Sequence, residues 1–419
     1  INNTAVGTNT LFANTTGTQN VAVGALALDA NTTASNNAAF GYGALGANTT
    51  ATNNSGIGNL ALTTNTTGAG NTGVGSQALY SNTTANNNTA VGYNSLLSNT
   101  TGHSNVAVGT YALDANTTAQ QCVAIGNNAL SSNTTASRNT AVGNDAAQLT
   151  TEGTDNTAVG SAALGTNTTG YHNVAIGRIA LLSSTTAADN VAVGYAALQL
   201  DTTGSQNTAV GKNALQKVTT GSSNTANGYV AGYNITTGSY NTTIGQNVAS
   251  DLTTGGNNLL LGHLAGAGSS PSGAITTGSN NVVLGNNSIS NIYCADTSIS
   301  SSDKRDKTDI TDFTHGLNWV NQLKPVTYRW DKRTWYDDNT PDGSKKRNKK
   351  HIGFLAQDVL TIEGNPSDKD DMLVVNLNED NTAYGLKYER LVPVLVNAIK
   401  ELSAEVETLK TKVAALEAA

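Results

Sequence analysis

The sequence predicts a mainly β protein: a long parallel β-solenoid (β-roll), followed by a small α+β domain that ends in a parallel coiled-coil helix. Three observations support this fold class. A glycine recurs every 17 residues from Gly7 to Gly262. Residues 1–290 contain 8 acidic and 4 basic side chains, whereas residues 291–419 contain 21 and 18. Near the C-terminus, apolar residues alternate spacings of three and four, which is typical of a heptad seam.

The repeat unit reads Asn-Thr-Ala-Val-Gly-x-x-Ala-Leu-x-x-Asn-Thr-Thr-Gly-x-x. Its period is unbroken over sixteen copies, and a last copy ends at Gly285 after a six-residue insertion near Gly266–Gly273. Ala, Gly, Asn and Thr bring too little apolar surface to offset chain entropy in an ordinary core. Stacked identical units bury surface by repetition, so the period predicts a solenoid.

A 17-residue coil has room for two short strands and two turns. In Asn20-Val21-Ala22-Val23-Gly24, alternation separates the two valines from Ala22 and Gly24. We expect the valines inside the coil and the small side outside, packed against other copies of the chain. The pair Ala27-Leu28 is expected to supply the second strand. Asn-Thr-Thr-Gly is expected to form a turn in which Gly or Asn takes positive φ.

Asparagine opens nearly every unit, as at Asn3, Asn20 and Asn37. Stacked one coil above another, these amides predict a hydrogen-bonded ladder along the solenoid. Cys122 stands in this position in one unit and is expected to take the place of the amide. Cys122 and Cys294 are the two cysteines, so a disulfide framework is not expected.

The chain after residue 301 carries a different set of motifs. They are Ser302-Asp303-Lys304-Arg305-Asp306-Lys307, Leu323-Lys324-Pro325-Val326-Thr327-Tyr328-Arg329-Trp330, His351-Ile352-Gly353-Phe354-Leu355-Ala356-Gln357-Asp358 and Leu386-Lys387-Tyr388-Glu389-Arg390-Leu391. In this order they resemble the intramolecular chaperone auto-processing domain that ends phage tail fibres, tailspikes and endosialidases. The 17-residue units resemble the β-roll repeats of trimeric autotransporter adhesin heads, whose coil is usually shorter, and similar repeats in phage tail fibres.

The resemblance to the chaperone domain implies a single-turnover, self-cleaving serine peptidase, with Ser302 as the nucleophile and Lys307 as the general base. A lysine can take the hydroxyl proton only when it is neutral, which requires burial to lower its pKa by about 3 units. Trimerisation would supply that burial. Attack on the preceding carbonyl favours cleavage between Ser301 and Ser302, and the Ser302–Asp303 bond is the alternative. No activity on external substrates is expected.

The C-terminal helix carries a sustained heptad seam. Val or Ile at a with Leu at d favours dimers. The two resemblances, and the side of the repeat strands that carries mostly Ala and Gly, favour a parallel homotrimer, which we expect. The seam is Val392, Leu395, Ile399, Leu402, Val406, Leu409, Val413 and Leu416.

Four segments are expected along the chain. They are solenoid repeats (1–262), an irregular tip or connector with the last repeat (263–301), the chaperone auto-processing domain (302–387) and the coiled-coil helix (388–419). The sequence opens inside a repeat unit, so we expect a further segment upstream.

Several partners and cofactors are not expected. The net charge of −7 argues against a nucleic-acid binder, and the basic run Lys345–Lys350 is expected to be a solvated loop. The chain has no run of 18 apolar residues, so membrane insertion is not expected. The histidines and cysteines show no metal-ligand spacing, and we expect no metal and no cofactor.

The function that these features predict is a phage tail-fibre shaft and tip, assembled in the host cytoplasm and located in the virion tail. It would join upstream tail or virion proteins and bind a host receptor, either a polysaccharide or an outer-membrane protein. The repeats lack the paired carboxylates of glycoside hydrolases, so binding rather than cutting is expected. The stretch His263–Thr297 is the candidate receptor contact, or else a simple connector.

Three alternative functions are less favoured by the sequence. A bacterial surface adhesin would need a membrane anchor. A purely structural filament would have no receptor. An ice-binding solenoid is suggested by the regular threonines, but the pattern predicts that these lie in turns instead of on a flat strand face.

Overall fold

In the computed structural model, the chain divides into two compact units. The first comprises Ile1–Gly268 and Ile275–Asn286, and the second comprises Ser269–Ala274 and Asn287–Ala419. The structure describes residues 2–289, 304, 307–336, 338–377 and 383–418.

The first unit is a parallel β-solenoid in which each coil contributes one three-residue strand. Seventeen strands form one sheet, and each pairs in parallel with the next along the chain. The usual register is 17 residues, as between Ala22 and Ala39. At the last pair Leu259 lies opposite Val282, so the insertion leaves the ladder intact. The predicted 17-residue parallel solenoid is confirmed.

The strands of the solenoid are β1 (Thr4–Val6), β2 (Val21–Val23), β3 (Ala38–Phe40), β4 (Ser55–Ile57), β5 (Thr72–Val74), β6 (Thr89–Val91), β7 (Val106–Val108), β8 (Val123–Ile125), β9 (Thr140–Val142), β10 (Thr157–Val159), β11 (Val174–Ile176), β12 (Val191–Val193), β13 (Thr208–Val210), β14 (Thr225–Asn227), β15 (Thr242–Ile244), β16 (Leu259–Leu261) and β17 (Val282–Leu284).

The glycine after each strand is required by the stacking of the coils. Gly126, for example, has a φ of +137°, in a region that side chains other than glycine rarely enter. A Cβ at this position would also lie 2.3 Å from the carbonyl oxygen of Gly143 in the next coil. Backbone therefore packs directly on backbone along this column, and this contact is the reason that a glycine recurs every 17 residues.

The two faces of each strand are the reverse of the expectation. Ala22 is fully buried inside the coil, whereas Val21 and Val23 are half-buried on its outer surface. The interior is narrow because a column of buried leucines lies opposite the strand. A Cβ on Gly56, at the inward strand position, would lie only 3.2 Å from Cγ of Leu45. In most coils only Ala or Gly fits there, so the branched residues point outward; the inward position is larger only in the last three strands, at Thr243, Leu260 and Val283.

In the later coils, where a core leucine is missing, a larger side chain at a neighbouring interior position fills its space. Gly232 replaces a core leucine, and its missing side chain would lie 2.8 Å from Cδ2 of Leu215 and 3.1 Å from Cδ1 of Ile235. Gly266 replaces a second core leucine, and a Cβ added to it would lie 2.9 Å from Cδ1 of Leu260. The interior thus stays filled, as close packing requires.

The segment that was expected to form a second strand consists of turns, so that prediction is wrong. Leu26 and Leu28 have φ values of +61° and +51°. The Leu28 N–H donates to the carbonyl oxygen of Ala44 in the next coil at 3.1 Å. The positive φ expected within the Asn-Thr-Thr turn lies instead at Asn36, three residues after Thr33. Left-handed residues let the chain reverse tightly around the leucine, whose burial offsets their conformational cost.

The predicted asparagine ladder is confirmed, and a second ladder accompanies it. The Asn20 N–H donates to Oδ1 of Asn3 at 2.9 Å, and Nδ2 of Asn20 donates to the carbonyl oxygen of Ala34 at 2.8 Å. The asparagine of the Asn-Thr-Thr turn forms the second ladder, in which Nδ2 of Asn48 donates to Oδ1 of Asn31 at 3.2 Å. Asn20, Asn31 and Asn48 are fully buried, so these bonds offset the cost of removing the amides from water.

Cys122 takes the predicted ladder position and weakens both ladders. Its N–H still donates to Oδ1 of Asn105 at 2.9 Å, and its Sγ lies 3.3 Å from the carbonyl oxygen of Ala136. In the second ladder, Nδ2 of Asn133 points to the sulfur at 4.0 Å. Oδ1 of Asn116 is consequently buried without a hydrogen-bond partner. A thiol replaces the amide poorly because sulfur is a weak donor and acceptor.

Asp201 occupies a position of the second ladder and is fully buried. Its Oδ1 accepts the Gly204 N–H at 2.8 Å, and its Oδ2 has no hydrogen-bond partner. Burial raises the pKa of Asp201 to about 8, against the opposing effect of the Gly204 hydrogen bond. The carboxyl is therefore largely protonated in the folded chain at neutral pH.

The second unit is a small α+β domain with a long terminal helix, as predicted. Its strands form two antiparallel pairs, β18 (Val326–Tyr328) with β19 (His351–Gly353) and β20 (Val375–Leu377) with β21 (Tyr384–Leu386). Its helices are α1 (Leu317–Val320), α2 (Ala356–Ile362) and α3 (Leu391–Glu417), with 3₁₀ turns at Arg333–Trp335, Lys369–Asp371 and Tyr388–Arg390. The core contains Trp319, Val359, Met372, Val374, Val375, Leu391 and Val394. Within the described residues, no helix is both long enough and apolar enough to cross a bilayer.

Replacement of Cys122 by asparagine should stabilise the solenoid. The new amide restores an acceptor for the next coil and frees Asn133 to donate to Asn116, a gain of about 1–2 kcal/mol. The midpoint of urea unfolding measures it, with Cys122→Ser as the control because the shorter hydroxyl cannot span the ladder. Equal midpoints for the two variants would show that the ladder adds no stability here.

Replacement of Asp201 by asparagine should remove a pH dependence of stability. The folded pKa is raised to about 8, above the unfolded value of about 4. The folded state therefore holds a proton that the unfolded state has lost across this window. The contribution of Asp201 to the free energy of unfolding is therefore greatest below the unfolded pKa. It falls by about 1.4 kcal/mol per pH unit as the pH rises from the unfolded pKa to the folded one.

Urea unfolding of the wild type and Asp201→Asn from pH 5 to pH 8, about the window that the two pKa values define, tests this prediction. The two chains should differ little at the acid end and most at the alkaline end, with the variant more stable. A constant difference across the range would contradict a protonated Asp201.

Candidate processing site and the domain that carries it

The structure describes one member of the predicted cleavage dyad. Lys307 is the first residue of the described stretch 307–336; its side chain is exposed, and its N–H donates to the carbonyl oxygen of Lys304 at 3.3 Å. Ser302, the predicted nucleophile, and Ser301, on the other side of the predicted cleavage bond, lie outside the described residues. The geometry of the dyad therefore stays a prediction.

The chain beyond Lys307 is held against the terminal helix by two polar side chains. Nδ2 of Asn397 donates to the carbonyl oxygen of Phe313 at 2.6 Å, and a carboxylate oxygen of Glu401 accepts the Leu317 N–H at 2.6 Å. A side chain at Gly316 would collide with Glu401, because a Cβ would lie 2.2 Å from its Oε1. Helix α3 therefore positions the segment that leads back to the predicted cleavage site.

Asn397 and Glu401 are positioning residues that the sequence did not reveal. They are four residues apart and lie on one face of a helix, off the apolar seam. That spacing is the signal that could have marked them, although it does not reveal which segment they contact.

Helix α3 has two apolar faces with different surroundings. Leu391, Val394 and Ala398 are buried against the domain. The predicted seam faces away from it, and all eight of its residues are exposed, from 41% for Val406 to 77% for Leu416. The seam is thus an uncovered apolar stripe, and its pairing with other copies stays a prediction.

The candidate receptor contact His263–Thr297 is described as far as residue 289. That part contains β17, which continues the solenoid sheet. In the described part of the chain, no group of three or more His, Cys, Asp or Glu residues could hold a metal ion.

Comparison with known families identifies the segment around this site. Residues 302–366 match the family model of the chaperone of endosialidase. The match begins at the predicted nucleophile and includes β18, β19 and α2. No curated protein and no solved structure matched the chain. A β-solenoid followed in sequence by a segment that matches the chaperone of endosialidase fits a tail-fibre-like or endosialidase-like protein.

Proposed function

We propose that the chain is the shaft of a bacteriophage tail fibre that binds the host surface as a parallel homotrimer. A C-terminal chaperone domain would assemble the trimer and then cleave itself off. The observation that carries this proposal is the order of the two parts, a 17-residue solenoid followed by the chaperone-of-endosialidase match. The mature fibre would reside in the virion tail, joined to upstream tail proteins, with a surface polysaccharide or outer-membrane protein as receptor.

Uncovered apolar surfaces in both units support assembly with other copies. Along the sheet, outward side chains such as Ile57, Ile125 and Ile176 are 42%, 39% and 39% exposed. Within one chain these isoleucines stay on the outer side of the strand, because the inward position beside the core leucine holds only Gly or Ala in these coils. Large exposed apolar surfaces mark interfaces, so the branched face of the strands replaces the alanine and glycine side as the proposed contact. The exposed seam of α3 would continue the assembly in the second unit.

The proposed cleavage is an acyl shift followed by hydrolysis. The Ser302 hydroxyl attacks the carbonyl carbon of Ser301 while Lys307 accepts the hydroxyl proton. The Ser301–Ser302 amide bond breaks as its nitrogen receives a proton, which leaves an ester on the Ser302 oxygen, and water then hydrolyses that ester. Lys307 is exposed in the single chain, and burial is what lowers a lysine pKa enough for this role. Assembly would supply the burial, so cleavage would follow trimerisation.

The turn threonines do not favour ice binding. In most coils the first of the two threonines donates its hydroxyl to the next coil, as Oγ1 of Thr66 does to the carbonyl oxygen of Thr83 at 3.0 Å. That threonine is half-buried, and its hydroxyl is already used within the solenoid.

Self-cleavage should release residues 302–419, a fragment of 118 residues. Ser302→Ala and Lys307→Ala should abolish the release, because each removes one partner of the proton transfer. Lys304→Ala is the matched control, since it removes a nearby lysine without touching the dyad, and it should cleave normally. Mass spectrometry of the purified chains gives both the extent and the bond. An intact wild-type trimer would contradict the processing step.

Replacement of Leu402 by lysine should weaken the trimer by roughly 3 kcal/mol per chain, because it buries an unpaired charge in the seam. Ala404→Lys adds the same charge at an exposed position off the seam and should leave the trimer unchanged. Sedimentation equilibrium gives the mass of each. A monomeric wild type, or a Leu402→Lys trimer as stable as the wild type, would contradict assembly through the seam.

A further inference from the structure

A positively charged aromatic pocket lies beside the β18–β19 hairpin. Its volume is about 340 Å³, and its lining includes Trp330, Trp335, Lys332, Arg347, Lys349 and His351. These residues come from both sides of the hairpin and from the turn at Arg333–Trp335. The basic run predicted to be a solvated loop therefore contributes two of its members, Arg347 and Lys349, to a concave site.

The hairpin holds the pocket in shape. Tyr328 pairs with His351 across the two strands, and the Arg347 N–H donates to the carbonyl oxygen of Trp330 at 2.9 Å. Nε of Arg329 donates to the carbonyl oxygen of Asn348 at 3.1 Å. The backbone of the basic segment is thus tied to the residues that directly follow β18, Arg329 and Trp330.

The two indoles fix the positions of two cations. Nζ of Lys332 lies 5.0 Å from the ring centre of Trp330, and the guanidinium of Arg347 lies 4.9 Å from that of Trp335. Both distances suit a cation–π contact. The charges are therefore held in place before any ligand arrives, which reduces the entropic cost of binding.

Among the described residues that line the pocket, no Asp or Glu accompanies these cations. Asp331, next to Lys332 in sequence, accepts the Tyr336 hydroxyl at 2.5 Å. Burial and the nearby Arg347 lower the pKa of Lys332. Like charges gathered without a counter-charge raise the free energy of the empty site, and a bound anion relieves that repulsion.

We propose that this pocket binds a compact ligand with two or more oxyanion groups, carboxylate or phosphate. Lys332, Arg347 and Lys349 supply the charge-assisted hydrogen bonds, and the indoles supply an apolar wall. One monovalent anion would leave part of the charge unmatched, so the site favours multivalent ligands. This inference stands apart from the proposed fibre function, because it depends on neither trimerisation nor cleavage.

Tryptophan fluorescence of the full chain tests the proposal directly, since two of the three tryptophans line the pocket. Pyrophosphate and citrate serve as the phosphate and carboxylate probes, and acetate as the monovalent comparison. We expect a saturable change with pyrophosphate, citrate or both, weakened by added salt. Binding of one probe alone assigns the ligand chemistry, and binding of both supports the shared oxyanion chemistry.

Charge-neutralising variants locate the binding. Lys332→Gln, Arg347→Gln and Lys349→Gln should each weaken it by about tenfold or more, the loss expected for a charge-assisted hydrogen bond. Lys346→Gln is the matched control, because it lies in the same basic run, is exposed and does not line the pocket. Lys349 is also exposed, so its replacement should not disturb folding. No saturable change with either probe, or an equal loss from Lys346→Gln, would overturn the proposal.

Discussion

The narrow interior of the coil controls the rest of the solenoid. A strand on one side and a leucine on the other leave space for little more than an alanine between them, as the close approach at Gly56 shows. Such a thin core buries little apolar surface per residue. Hydrogen bonds between coils must therefore satisfy the polar groups inside, and the repeat gives each buried asparagine a partner one coil away.

The same constraint produces the outer surface. Because most inward positions accept only Ala or Gly, the Val and Ile side chains of the strands lie on the outer face of the sheet, where they are partly exposed to water. Helix α3 has an equivalent feature, since one apolar face packs on its own domain and the other does not. Both features have a simple cause within one chain, and both are surfaces that another copy could cover.

Irregular coils show how local the packing is. At Cys122 one substitution disturbs the asparagines of two ladders, and at Asp201 a buried acid is accommodated by staying protonated. At Gly232 the core leucine is lost and Ile235 fills the space. Each coil contacts only its neighbours, so such changes are absorbed within a coil or two instead of unfolding the whole array.

Spacing along the chain was enough to predict the period, the parallel stacking of the coils, an asparagine ladder and the apolar heptad pattern of α3. Ser302 and Lys307 are cleavage candidates only through the resemblance of the surrounding motifs to the chaperone domain, and the dyad stays a prediction. The sequence could not determine which side of the strand faces inward. Alternation in Val21-Ala22-Val23 defines two sides, but the width left by the opposite leucine decides between them.

Tertiary structure alone also decided the turns around Leu28 and the pocket beside β18. The turns depend on left-handed residues that wrap a buried side chain, which apolar spacing does not reveal. In the pocket, Trp330 and Arg347 are far apart in sequence and meet only because the hairpin pairs their segments. Contacts that follow from a regular spacing of residues can be predicted from the sequence. Contacts that depend on the space left between distant segments form only when those segments pack together, so spacing does not predict them.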